Sequence, residues 1–334
     1  MKNIFVTGCT GYIGSHTCVE LLENNYNVIG LDNFSNSKPV VLEKIKEITG
    51  KSIEFYEGNM LNRELLRQIF QENNIDCVID FAAFKSVGDS VNLPIDYYIN
   101  NVSSVLTLLS VMQEYNIKSL LFSSSATVYG DAKTMPITEE FPIGGTTNPY
   151  GTSKLYCEGI LQDLYKSDNE WNICIFRYFN PVGAHKSGLI GEEPNGIPAN
   201  LMPFISKVAT GELEILSVFG NDYDTKDGTG VRDYIHVVDL AKAHVKGLEK
   251  LEKDNRGMHI YNLGTGTGYS VLEMIKTFEE VNNIKVNYKI VGRRPGDVAI
   301  CYADPSKALR ELNWKCELSL EDMCEDAYNF YKQK

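Results

Sequence analysis

The stretch NIFVTGCTGYIGSHTCVELLENNYNVIGLD, at the amino end of a 334-residue chain, constrains the fold more than any other part of it. An apolar run leads into Gly8, Gly11 and Gly14, a segment of helical period follows, and a second apolar run ends on Asp32. A strand, a tight glycine turn and a helix start in that order gather backbone amides at one point and aim them at an anion. Glycine suits the turn because a pyrophosphate must approach the main chain closely. The segment predicts a dinucleotide site on the first turn of a βαβ unit; the competing reading is a glycine turn that only packs helix on sheet. Asp32 would accept hydrogen bonds from ribose hydroxyls and repel a 2′-phosphate, which favours NAD over NADP. The polar NFSNSK after it is placed to wrap an adenosine, with Lys38 the one nearby cation arguing the other way.

Similar runs recur to about residue 177: SIEFYEG, DCVIDFAA, KSLLFSS and NICIFRYFN. With the first two they make six strands, with helical patterns at 12–24, 62–74, about 95–115 and 149–168. That alternation predicts an α/β fold, a Rossmann-type doubly wound parallel sheet. After RYFNPVGAH, glycine, proline and asparagine concentrate at 181–200 and 220–230, and shorter strands (ILSVFG, HIYNLG, VNYKIV) follow with helices near 237–252, 270–282 and 319–331. The expected division is a dinucleotide-binding domain over 1–177 and a smaller mixed α/β domain over 178–334, discontinuous, with some segments returning to the first. In open sheets of this kind ligands lie outside the carboxyl ends of the strands.

At 43% hydrophobic residues the chain can bury a substantial core, and its net charge of −12 argues against nucleic-acid or anionic-membrane surfaces. A small anionic ligand would need locally placed arginines. The eight cysteines are scattered without a CxxC pair, as reduced thiols of a cytoplasmic protein would be. No apolar run reaches membrane-spanning length, MKNIFVTG carries no signal-peptide pattern, and the five histidines lack metal-ligand spacing, so neither membrane nor metal is expected.

In NPYGTSK, Asn148 and Pro149 form a helix cap and first helical residue, and Tyr150 and Lys154 follow four apart on one face. Alone, the tyrosine could fill space and the lysine could be solvated. Behind a dinucleotide half, and one element after LLFSSSATVYG, they read as a proton-transfer pair, with Ser125 at the strand end reaching the same reacting oxygen. A phenol must drop from about 10 to about 7 to act as a base at neutral pH, roughly 4 kcal/mol. A lysine ammonium about 5 Å away supplies roughly 3 kcal/mol at an effective dielectric near 20. Burial opposes it, so a positive nicotinamide ring is expected to make up the rest.

Taken together, these motifs resemble the extended short-chain dehydrogenase/reductase family. The blocks VTGCTGYIGSHTCVELL, SSSATVYGD, RYFNPVGAH, GIPANLMPFI, FGNDYDTKDGTGVRDYIHVVDLA and HIYNLGTGTGYSV are similar, from end to end, to the UDP-glucose 4-epimerase family within it. The resemblance implies NAD held by Gly8, Gly11, Tyr12, Ile13 and Gly14, by Asp32, Asn33, Phe34, Ser35, Asn36 and Ser37, and by Asn59 and Met60 near adenine. Phe81, Ala82, Ala83, Phe84 and Lys85 would follow, with Asn100, Ser125, Tyr150, Lys154 and Tyr178 or Phe179 completing that site. It implies a UDP-hexose held by Ser125, Ala126, Thr127, Tyr150, Tyr178, Phe179, Asn180, Asn200, Leu201, Phe219, Arg232, Arg294 and Asp297, with Lys85 serving both ligands. Singly, each arginine reads better as an ion pair with the neighbouring Asp233 or Asp297; GVRDYIH and RRPGD occurring together in this frame turn the reading to the pyrophosphate. The implied reaction interconverts UDP-glucose and UDP-galactose: Tyr150 takes the 4-hydroxyl proton, C4 hydride passes to NAD, the keto sugar turns, and hydride returns to its other face. A homodimer is implied too, packed through the helices near 95–115 and 149–168.

The sequence departs from the family pattern at Asn59, where an aspartate is common, and at Ala83, where a glycine is. Cys301 occupies a position that is tyrosine in some relatives; a thiol there leaves room beside the sugar C2 group and implies activity on UDP-N-acetylhexoses, unless it is merely buried. The nearest rival is a nucleotide-sugar 4,6-dehydratase, whose strand-end segment resembles STDEVYG. Ala126 and Thr127 stand where that acid and base would be. A non-catalytic nucleotide sensor would have no reason to keep Ser125, Tyr150 and Lys154 together.

Overall fold

The computed structural model describes residues 2–294 and 296–334. The amino-terminal half runs β1 (Asn3–Thr7), α1 (Tyr12–Glu23), β2 (Asn27–Asp32), α2 (Val40–Thr49), β3 (Glu54–Glu57), α3 (Arg63–Glu72) and β4 (Cys77–Asp80). The short helices α4 (Val87–Asn92) and α5 (Pro94–Tyr98) follow, then a π-helical turn Ile99–Ser103, α6 (Ser104–Glu114), β5 (Ser119–Ser125), a 3-10 turn Ala126–Tyr129, α7 (Pro149–Ser167) and β6 (Asn172–Tyr178). The inner strands are short apolar runs buried on both faces, as in β6, where all seven residues are buried, whereas the edge strand β3 is exposed at both ends.

Among the described residues a seven-stranded sheet forms in the order Gly257–Leu263, β6, β5, β4, β1, β2, β3. Strands β1 to β6 pair in parallel. The order reverses between β1 and β4, which opens a crevice at their carboxyl ends, the usual ligand position in a doubly wound sheet. The strand in HIYNLG adds to β6; its own pattern shows that it is a strand but not which edge it joins. Leu66, Phe70, Leu108, Phe122, Trp171 and Ile175 stand in the core under this sheet.

The chain separates into two compact units. One comprises Met1–Gly130, Pro142–Tyr178 and Ala241–Tyr261, the other Asp131–Phe141, Phe179–Leu240 and Asn262–Lys334. Among its described residues the second unit carries three small sheets: Asn180–Val182 beside Tyr234–His236, Leu216–Phe219 beside Tyr288–Val291, and Tyr269–Ser270, Val231–Arg232 and Ile300–Cys301 together. Its core centres on Met202, Ile205, Val218, Met274, Phe278 and Met323. Helices Val271–Asn282 and Leu320–Lys332 each begin with a capping box, Ser270 with Glu273 and Ser319 with Asp322.

Candidate active site

In the first unit, β1 delivers the chain into the glycine turn. Gly8 has φ 64°, and a side chain there would meet the Ala82 backbone nitrogen at 3.1 Å, so the turn lies against the segment leaving β4. A methyl on Gly14 would come within 2.1 Å of the Gly8 carbonyl oxygen. Gly11 caps α1, and no side chain hydrogen-bonds to the amides of its first turn. These are the features a pyrophosphate needs, and the residues present fit NAD. Asp32 ends β2; it accepts from the Thr10 amide at 3.1 Å, the Phe34 amide at 2.9 Å and the Ser37 hydroxyl at 3.2 Å, so it also organises the loop expected to wrap adenosine. Asn33 accepts from the Ser35 amide at 3.0 Å, and Asn36 is exposed.

Asn59 is exposed and accepts from the Leu61 amide at 2.8 Å, while Met60 is buried among core residues, so its side chain serves packing. Phe81 and Ala82 are tied to Thr7, the Ala82 amide donating to its hydroxyl at 3.1 Å. Ala83 is half-buried, Phe84 exchanges backbone bonds with the Asn101 side chain, and the Lys85 ammonium lies 5.5 Å from the Tyr12 ring centroid. Ile13 is half-buried beside Tyr12 at the start of α1. Asn100, in the π-helical turn, donates to Asn101 at 3.1 Å.

Ser125 ends β5, and its hydroxyl accepts from the Thr127 amide at 3.2 Å and hydroxyl at 2.9 Å. Ala126 is half-buried in the same 3-10 turn. Asn148 caps α7, accepting from the Gly151 amide at 2.9 Å, with Pro149 at the first position, as the sequence predicts. Burial pushes the Tyr150 phenol above its ordinary pKa, and the Ser125 hydroxyl beside it works against that. Lys154 is buried; its ammonium donates to the Ser123 carbonyl at 2.6 Å and lies 4.9 Å from the Phe122 ring centroid. Burial pulls its pKa down, while Cys157, Asp80 and Glu158 push it back up. Tyr178 is the register partner of Ser125 across β5 and β6, and its hydroxyl meets His244 Nε2 at 2.6 Å. Ser125, Tyr150 and Tyr178 are thus brought together at the strand ends.

In the second unit, the Phe179 amide donates to the Leu263 carbonyl at 3.1 Å and the Asn180 amide to the Asp233 carbonyl at 2.9 Å. Asn200, just before Leu201 and the helix Leu201–Ala209, donates to the buried Glu192 carboxylate at 2.7 Å. Arg294 grips Asp297 through two nitrogens, at 3.2 and 3.0 Å, and lies 5.6 Å from the Phe219 ring centroid. Arg232 reaches the same Asp297 at 3.9 Å. Phe219, Arg232, Arg294 and Asp297 therefore form one cluster, in which both arginines engage the aspartate. Cys301 is the register partner of Arg232; burial raises its thiol to about 11, with Arg232 lowering it.

Buried residues stand behind these groups, and Asp233, which the sequence offers only as an ion-pair partner for an arginine, takes backbone amides instead. Asp233 accepts from the amides of Thr265, Gly266 and Ala303 at 2.7, 3.0 and 3.0 Å, fixing the strand that carries Arg232. The sequence does not single out Glu158 or Arg177; a charged residue inside an otherwise apolar run, as in NICIFRYFN, is the available signal. Among the described residues no cluster could hold a metal ion, and no helix is long and apolar enough to cross a membrane.

The family model described as GDP-mannose 4,6 dehydratase matches residues 5–327. The UDP-glucose 4-epimerase of Bacillus subtilis is 58% identical over 327 residues, 98% of this chain and 96% of that protein. Among solved structures, UDP-glucose 4-epimerase from Bifidobacterium longum in complex with NAD+ and UDP superposes with a TM-score of 0.97 at 56% identity, covering 99% of this chain and 98% of that one. UDP-glucose-4-epimerase from Stenotrophomonas maltophila, with bound NAD and formylated UDP-arabinopyranose, gives a TM-score of 0.97 at 47% identity over 100% of this chain and 98% of that one.

Proposed function

The chain belongs to the UDP-glucose 4-epimerase family, and from that membership we propose that it interconverts UDP-glucose and UDP-galactose by oxidation and reduction at sugar C4. The observation that carries the reading is the meeting of Ser125 and Tyr150 at the carboxyl ends of the strands, in the unit that presents the uncapped α1 amides and Asp32. When bound, NAD supplies an acceptor for the C4 hydride and later its donor. The glycine turn and α1 amides hold the pyrophosphate, and Asp32 the adenosine ribose. Tyr150 takes the proton from the 4-hydroxyl and later returns it. Ser125 hydrogen-bonds the same oxygen, and Lys154, anchored on Ser123, holds positive charge in the neighbourhood. Arg232 and Arg294 bind the substrate pyrophosphate as fixed guanidinium donors. Gripping the nucleotide and not the hexose leaves the keto sugar free to turn before reduction on its other face.

A dehydratase reading is disfavoured by Ala126, which has no proton to give, and by Thr127, whose hydroxyl donates to Ser125. We read Cys301 as leaving space for an N-acetyl group, so that UDP-N-acetylhexoses are also substrates. The exposed Leu93, Ile95, Ile99, Leu106 and Tyr156, on and around α5 to α7, are read as a homodimer face. The test of the activity is direct: the purified protein carries tightly bound NAD and converts UDP-galactose to UDP-glucose with no electron acceptor added. Loss of UDP-galactose to a 4-keto-6-deoxy product would mean a dehydratase instead.

A further inference from the structure

Glu158 and Arg177 form an ion pair in the core of the first unit, 0% and 2% exposed, and no step of the proposed reaction uses either. Arg177 donates through Nε at 3.0 Å to one carboxylate oxygen and through Nη2 at 2.6 Å to the other, a two-pronged grip that sets orientation as well as distance. Ser124 donates to the same carboxylate, and Arg177 Nη1 donates to the Tyr129 hydroxyl at 2.8 Å. A buried pair of this kind seldom adds stability over an apolar pair of similar volume, and its best-attested use is to fix register.

The register fixed here is that of the catalytic residues. Ser124 and Arg177 are partners across β5 and β6, each one residue before a site residue, Ser125 and Tyr178. Glu158 lies on α7 one turn beyond Lys154 and two beyond Tyr150, on the same helix face. Tyr129 belongs to the 3-10 turn that Ser125 caps. We propose that the Glu158–Arg177 pair is a positioning clamp that sets the height of α7 on the sheet, and with it the distance from Tyr150 and Lys154 to Ser125. Both are positioning residues, acting through the helix and strands they join. The proposal rests on the reading of Tyr150 as the base.

The test uses the NAD-containing enzyme and UDP-galactose. Arg177→Lys keeps the charge but loses the fork, and Glu158→Leu/Arg177→Met replaces the pair with apolar volume. In each, kcat falls about 10- to 100-fold, as a misplacement near 1 Å would cause, while KM for UDP-galactose stays put. The ionisation midpoint of Tyr150, read as the phenolate absorbance difference from Tyr150→Phe, also moves. A pair that only held the core together would reduce the yield of folded enzyme and leave that midpoint alone. A folded apolar variant with wild-type kcat and midpoint overturns the clamp; should that variant not fold, the same result in Arg177→Lys overturns it. If Tyr150→Phe itself keeps full turnover, the base reading fails and the clamp with it.

Discussion

Tyr150 holds its proton at neutral pH in the cofactor-free chain, because burial raises the phenol more than the Ser125 hydroxyl lowers it. Its basic form therefore grows as pH rises. Lys154, whose pKa burial depresses, loses its charge at a lower pH than an ordinary lysine and brings the rise to an end. The expected profile of kcat/KM climbs through neutrality and falls on the alkaline side; a flat profile between about pH 6 and 10 contradicts it. Tyr150→Phe should cost about 10²- to 10⁴-fold in kcat while bound NAD, measured after denaturing release, is unchanged. Cys301→Tyr should abolish turnover of UDP-N-acetylglucosamine and spare UDP-glucose, which side-by-side equilibrium assays would show. If the unchanged protein ignores acetylated sugars, the thiol is only packing. The placement of Tyr150 and Lys154 one turn apart on α7, and of Asp32 at the end of β2, is legible because it lies in local spacing. That of Asp233 and the Glu158–Arg177 pair is not, since each takes its sense from a partner far along the chain.

On helix α7 the cap and the proposed base share one turn. Asn148 fixes the first turn by accepting from Gly151, and Tyr150 stands inside that turn. Asn148→Ala should cost about 1 kcal/mol of stability and lower kcat more than that loss alone suggests, measured by chemical denaturation and by turnover of the same preparation. All six strands of the amino-terminal half are readable from their apolar runs. Between 87 and 103 the reading blurs: Pro94 starts a new helix, and a π-helical turn follows, where periodicity alone suggests one helix near 95–115. Helix α2 buries Ile45 alone, its other apolar residues being half-buried or exposed, so it packs as a weakly anchored surface helix.

Across the whole molecule, Ile95 at 66% and Tyr156 at 54% exposure are apolar surface that a monomer would leave in water. Ile95→Glu together with Tyr156→Glu should turn a dimer into a monomer in sedimentation experiments, while a wild type that sediments as a monomer removes the dimer reading. Which strand joins which edge is a property at this scale, and the placing of Gly257–Leu263 beside β6 could not be read from either segment. That placing has a consequence for birth on the ribosome. β6 ends at Tyr178 and its outer neighbour begins at Gly257, so 79 residues of synthesis separate them. At about 5 to 20 residues per second, that leaves roughly 4 to 16 s during which β6 has an open edge. A fully buried strand of the finished protein thus spends that interval as an adhesive border, offering unpaired amides and apolar side chains to any neighbouring nascent chain.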